Sequence, residues 1–168
     1  MSSIEEFSMA LNNKALTLSK QGDILEAKKL FKKSLKLEPE NPNTLYNFGV
    51  LLYENKEVND AMELFDKVPL TSSDFVQAMF AKGRIFLENN QFEKARVCYD
   101  RILESDSENS DAFAHRGLSY VMNGKMKEGL DDFNIALNID PTNYVASENL
   151  KRIQNNNITS NTKWSIEE

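Results

Sequence analysis

Apolar and small residues return along this chain at helical spacing, in blocks that repeat every 34 positions. The clearest block runs from Ser110 to Asn143. Phe113, Gly117 and Tyr120 fall on one face of a first predicted helix. Asn123-Gly124 interrupts it, a pair that tolerates the left-handed backbone with which helices end and turn. Gly129, Phe133, Ala136 and Leu137 mark one face of a second helix, and Pro141 cannot continue it. The block occurs three more times upstream, in strict phase. Its small first-helix residue is Ala15, Gly49, Gly83 and Gly117 in turn. Its small second-helix residue is Ala27, Ala61, Ala95 and Gly129, followed by the aromatic series Phe31, Phe65, Tyr99 and Phe133. Small residues at these positions let two antiparallel helices approach closely, and the aromatic ring fills the space beside them.

A fixed period of this length predicts an all-α solenoid of stacked antiparallel helix pairs, with a row of local cores between neighbouring repeats. The boundaries read as a lead-in at residues 1–7 and repeats at 8–41, 42–75, 76–109 and 110–143. A capping helix follows at 144–155, and a polar tail at 156–168 reads as flexible. In that tail Trp164 or Ile158 has the alternative of docking on the solenoid. Ser3-Ile4-Glu5-Glu6 has capping-box spacing, which starts the first helix near Ile4. The turns between paired helices fall at Gln21-Gly22, Asn55-Lys56, Asn89-Asn90 and Asn123-Gly124, and Lys56 is the poorest left-handed residue among them. Pro69 stops the second helix of repeat two near Lys67, leaving Ser72 or Ser73 to cap the next helix.

The pattern resembles the tetratricopeptide repeat family. The matching elements are the small residue between large apolar ones, then Ala-x-x-x-aromatic, then a closing Pro at Pro39 and Pro141. The resemblance covers residues 8–143 and implies a right-handed superhelical solenoid that works as a protein-binding scaffold or adaptor. It departs from the family at the first-helix tryptophan, replaced by Leu11, Leu45, Met79 and Phe113, and at the closing prolines of repeats two and three. The resemblance also implies a concave groove lined by first helices. Carried over residue by residue, that groove comprises Asn12 and Leu16; Tyr46, Asn47, Val50 and Tyr53; Gln77, Phe80, Arg84 and Leu87; and His115 and Leu118. Spacing supports a second apolar stripe on its own account, because Tyr46, Val50 and Tyr53 recur at i, i+4 and i+7. Such a stripe is either buried by neighbouring helices or kept for a partner.

Relatives that grip the terminal carboxylate of chaperones use a Lys/Asn/Asn/Lys/Arg clamp. Asn12, Leu16, Asn47, Gln77 and Ala81 stand at those positions, so only Asn47 keeps the clamp residue. Without cationic donors a buried carboxylate is poorly paired. An apolar or amphipathic segment of a partner protein is therefore the expected ligand, with Arg84 and His115 as polar handles.

Charge narrows the reading further. Net charge is −6, with 11 Lys and Arg against 12 Asp and Glu in residues 1–84, and 9 against 14 in residues 85–168. An acidic chain lacks the general attraction to phosphate on which nucleic-acid binding depends. The chief concentration of positive charge is Lys28, Lys29, Lys32, Lys33 and Lys36, which reads as a solvated outer face or as a patch for an acidic partner or a membrane surface. Cys98 is the only cysteine and His115 the only histidine, so neither a thiolate zinc site nor a catalytic triad is marked. No enzyme, cofactor or metal is expected. No apolar run reaches the ~20 residues that span a bilayer. A cytoplasmic protein, a monomer more readily than an oligomer, is the default expectation. Self-assembly through apolar faces is the alternative.

Overall fold

Four left-handed residues set the turns of this protein. In the computed structural model, which describes residues 2–155, φ is positive at Gly22 (85°), Lys56 (67°), Asn90 (56°) and Gly124 (78°). Each closes a helix in the same way. The N–H of Gly22, Lys56, Asn90 and Gly124 reaches back to Ser19, Tyr53, Leu87 and Val121. The next N–H, from Asp23, Glu57, Gln91 and Lys125, reaches Leu18, Leu52, Phe86 and Tyr120. This double closure satisfies carbonyls that the helix leaves open and turns the chain for its antiparallel partner. A lysine in this conformation is strained by ~1 kcal/mol or more. Lys56→Gly is expected to raise stability by about 0.5–1 kcal/mol after the entropic cost of glycine, moving Tm up by about 2 °C. A lower Tm in a thermal melt would contradict that account.

Among the described residues the chain forms nine helices and no strand. They are α1 (Ser3–Lys20), α2 (Ile24–Leu37), α3 (Pro42–Glu54), α4 (Val58–Asp66), α5 (Phe75–Glu88), α6 (Phe92–Ser105), α7 (Ser110–Met122), α8 (Met126–Ile139) and α9 (Tyr144–Gln154). The fold is all-α, built of helix pairs, and divides into two units, Met1–Ala81 and Lys82–Glu168, with α5 running from one into the other.

In the first unit α1 packs on α2 and α3 on α4. Ala15, Ala27, Phe31, Ala61 and Phe65 have no exposure. A Cβ placed on Gly49 would lie 2.6 Å from the Phe65 ring, so a side chain there would require that buried ring to move. Phe31 and Phe48 stack at 5.3 Å. Three buried hydroxyls thread this core: Ser34 Oγ is 2.9 Å from Ser8 Oγ and 3.0 Å from Thr44 Oγ1, and Ser34 donates to the Ser8 carbonyl. Buried polar groups that satisfy one another fix the register of α1, α2 and α3 instead of destabilising it. Helix α4 ends at Asp66 with Lys67 as its cap, as Pro69 requires. Ser72 does not cap α5 in the expected manner. Its hydroxyl accepts from the Asp74 N–H at 2.9 Å, within the turn that precedes Phe75. The capping box of α1 also sits one residue earlier than expected, on Ser2 and Glu5.

In the second unit α6 packs on α7, α7 on α8, and α9 against both α7 and α8. A Cβ on Gly83 would meet the Tyr99 ring at 2.5 Å. On Gly129 it would lie 2.8 Å from the Gly117 carbonyl oxygen, which is why this pair alone is glycine on both helices. Cys98 is buried among these helices, as a small hydrophobe would be. Asn109 and Asn143 cap α7 and α9 by accepting from the N–H groups of Ala112 and Ala146, and Asn41 caps α3 in the same way. Trp164 and Ile158 lie outside the described residues.

Candidate functional site

The first unit offers the face that sequence spacing pointed to. Leu16 of α1 and Tyr46, Asn47, Val50 and Tyr53 of α3 are all half-buried. Each belongs to a helix whose other stripe builds a core, through Ala15 on α1 and Leu45, Gly49 and Leu52 on α3. Tyr46 is partly committed to packing, with its ring 6.1 Å from that of Phe65. On α5, Gln77 is exposed and Phe80 half-buried.

Asn12 departs from its expected role. It is only 2% exposed. Its amide donates to Asn43 Oδ1 at 2.9 Å, while its Oδ1 accepts from Asn47 at 3.2 Å. Asn47 donates to Asn43 as well, at 3.1 Å. Three carboxamides thus stitch α1 to α3, and Asn12 is a strut of the face and not an open handle on it. An open cleft of about 300 Å³ adjoins this seam, lined by Glu5, Met9, Asn12, Glu38, Asn41, Asn43 and Thr44.

In the second unit the expected residues separate into two kinds. Leu87 (1% exposed) and Leu118 (0%) lie in the core, where neighbouring helices cover them and no ligand reaches them. Arg84 and His115 are half-buried. The His115 ring stacks on Tyr99 at 5.6 Å. Burial lowers its pKa from 6.5 to about 4, the positive charge of Arg84 acts in the same direction, and Asp111 opposes both. His115 is therefore neutral at pH 7 and supplies no charge to a ligand there. Burial likewise pushes the Tyr99 hydroxyl well above its ordinary value of 10.0.

Sequence spacing missed the strongest electrostatic cluster of this unit. Arg116 of α7 grips Asp132 of α8 with two N–H groups, each at 2.8 Å, and reaches Asp100 of α6 at 2.9 Å. Its guanidinium also lies over the Phe113 ring at 5.2 Å. The bond to Asp132 is the main reason its pKa lies above the ordinary arginine value. A signal was present in the repeat. The residue before the core aromatic is Leu30, Leu64, Cys98 and then Asp132, so the fourth copy alone places a carboxylate there. The cluster ties three helices together and leaves its charges satisfied, which makes it structural.

Among the described residues no group of three or more His, Cys, Asp or Glu side chains is arranged to hold a metal, and no helix is long and apolar enough to cross a membrane. No curated protein matches the sequence at a significant level. Several solved structures share the fold. A tetratricopeptide repeat protein from Parabacteroides merdae ATCC 43184 aligns with a TM-score of 0.76 at 20% identity, over 90% of this chain and 61% of that one. MamA 41-end from Desulfovibrio magneticus RS-1 aligns with a TM-score of 0.72 at 20% identity, over 93% and 88%. Pseudomonas aeruginosa pilF aligns with a TM-score of 0.72 at 18% identity, over 92% and 72%. At such identities the likeness is one of fold alone. Family models of the tetratricopeptide repeat match residues 18–75 and 80–144, and with its paired helices, small-residue contacts and left-handed turns the chain belongs to the tetratricopeptide repeat family.

Proposed function

We propose that this protein is a non-enzymatic adaptor that binds an apolar or amphipathic segment of a partner protein. Membership of a family of interaction scaffolds supports the general reading. One observation carries the finer one: α1 and α3 each have a second apolar stripe beyond the one that builds their core, and its members Leu16, Val50 and Tyr53 remain half-buried. Apolar side chains spaced along a helix face, with Asn47 beside them to orient a backbone, suit a helix or extended peptide. In the second unit Arg84 is the polar contact that fits such a ligand, because the neutral His115 lacks charge. The chaperone carboxylate is excluded from this reading, since no lysine or arginine stands at the clamp positions of α1 and α3. A cytoplasmic setting and a monomeric state complete the proposal.

The test is capture of partners from the native source by wild type and by a Val50→Glu, Tyr53→Ala variant, with circular dichroism as the control for folding. Recovery is expected to fall at least about tenfold, the effect of removing a central apolar anchor. Unchanged recovery by a folded variant would remove the first unit from the binding face.

A second reading has its own observation. Ile4 and Phe7 on α1 are 54% and 60% exposed and share a helix face. An exposed apolar pair of this kind favours self-assembly through the first helix. Light scattering across a range of concentrations separates the two: a constant monomer mass supports the adaptor, and a rising mass supports assembly.

A further inference from the structure

Helix α2 presents a surface that the proposed binding face does not use. Ala27, Leu30, Phe31 and Ser34 of this helix are buried against the rest of the first unit. At about 100° per residue, Lys28, Lys29, Lys32, Lys33 and Lys36 fall within an arc of about 140° centred opposite that core. Glu26 lies at the edge of the arc and holds Lys29 at 3.0 Å, and Lys28 is bonded to Glu57, the residue that precedes α4. Lys32, Lys33 and Lys36 are exposed and carry no ion pair among the described residues. Leu25, 69% exposed, stands in the same arc one turn before Lys29. The other second helices differ. One repeat on, the stations of Lys29 and Lys32 hold Glu63 and Asp66; further on they hold Val97 and Asp100, then Asp131 and Asn134.

We propose that this face of α2 docks on an anionic lipid surface. Charge complementarity is the basis, and residue type narrows the partner. Arginine supplies the planar fork that grips Asp132 through Arg116, whereas lysine meets single carboxylates here only as point contacts, Lys28 with Glu57 and Lys125 with Glu93. The three members without an ion pair among the described residues, Lys32, Lys33 and Lys36, are point charges on flexible stems, which respond to the field of a charged surface more than to the geometry of one acid. The clefts at Glu38–Pro42 and beside Asn12 are lined by none of these lysines, so neither cleft would hold a peptide against the strip. Leu25 adds an apolar side chain that enters the interfacial region once the charges have brought the helix to it. The overall charge of −6 makes this docking local and dependent on salt.

The experiment is co-sedimentation of the full chain with phosphatidylcholine vesicles containing about one-third phosphatidylserine, against vesicles of phosphatidylcholine alone. Binding is expected only to the anionic vesicles and is expected to weaken as salt rises. Each lysine near such a surface contributes about fivefold in partition, so Lys32→Gln, Lys33→Gln, Lys36→Gln together should reduce binding by about a hundredfold. Leu25→Ser should reduce it by several fold, whereas Val50→Glu, Tyr53→Ala should leave it unchanged. The lysine and Leu25 variants alter exposed positions, and circular dichroism confirms that every variant is folded before it is compared. No binding at low salt, binding to neutral vesicles alike, or binding indifferent to the lysine variants would overturn the proposal. Capture of polyglutamate in preference to the vesicles would overturn it too, by reassigning the strip to an acidic protein partner.

Discussion

Asp132→Ala is expected to lower the stability of this protein by about 3 kcal/mol, more than any surface change. Asp132 is 4% exposed and accepts both bonds of the Arg116 fork. Removing it leaves a guanidinium, itself largely covered, with only Asp100 at 2.9 Å to compensate its charge. Loss of one partner from a buried pair costs about 3–5 kcal/mol, and the remaining bond to Asp100 sets the expectation at the lower end. Asp100→Asn should cost much less, about 1 kcal/mol, because Asp132 still holds the fork. The informative variant is the double replacement Arg116→Met, Asp132→Leu. It removes both charges and fills the volume with apolar atoms, as Leu30 and Leu64 do at the equivalent stations of repeats one and two. Such replacements are often neutral or stabilising. Urea unfolding followed by circular dichroism measures all three. A cost below about 1 kcal/mol for Asp132→Ala, or a double variant no better than the single, would show that the pair does not hold α7 to α8.

That cluster also marks where the sequence becomes hard to read. The periodic elements were legible because each rests on a local constraint that few residues meet. Gly83 faces the Tyr99 ring, which a Cβ would push aside, Gly22 and Gly124 take the left-handed backbone, and Pro69 ends α4. Helix ends were less sharply marked. Ser2-Ser3 followed by Glu5-Glu6 provides two registers for a capping box, and only the hydrogen bonds show that Ser2 and Glu5 form it.

The candidate face was harder still, because a second apolar stripe has the same spacing whether a neighbouring helix or a ligand covers it. Leu118 and Val50 are indistinguishable by that criterion, yet Leu118 is fully buried and Val50 half-buried. A polar residue misled as well. Asn12 enters the groove by its station in the repeat alone, but its hydrogen bonds go to Asn43 and Asn47 across the helix seam. Partner choice in a helical repeat depends on which side chains remain uncovered after packing, and packing is the part that a one-dimensional period leaves open.

His115 gives the second large effect, and it appears as a dependence on pH. Its pKa in the folded protein is about 4, against an ordinary value of 6.5, chiefly because the ring is removed from water beside Tyr99. A base whose folded pKa is depressed binds its proton more readily in the unfolded chain. Folding is therefore unaffected by this residue above about pH 6.5, and stability falls as the pH drops from there toward 4. The slope approaches 1.4 kcal/mol per pH unit, so about 2 kcal/mol is lost by pH 5 and about 3 by pH 4. Glu26, Glu93 and Asp140, whose pKa values are lowered by their hydrogen bonds to Lys29, Lys125 and Thr142, act in a different window. Their contributions are present above about pH 4.5 and are lost only below it, which leaves the range from 6.5 to 4.5 to the histidine. Urea midpoints at pH 7 and pH 5 should thus differ clearly for wild type and much less for His115→Gln, whose side chain does not titrate. An equal difference in both proteins would locate the dependence elsewhere. Because His115 lies on the same helix as Arg116, Asp132→Ala also tests whether the two act on one packing event: a drop between pH 7 and pH 5 as large as that of wild type indicates independent sites, and a smaller drop indicates that opening the ion pair already admits water to the imidazole.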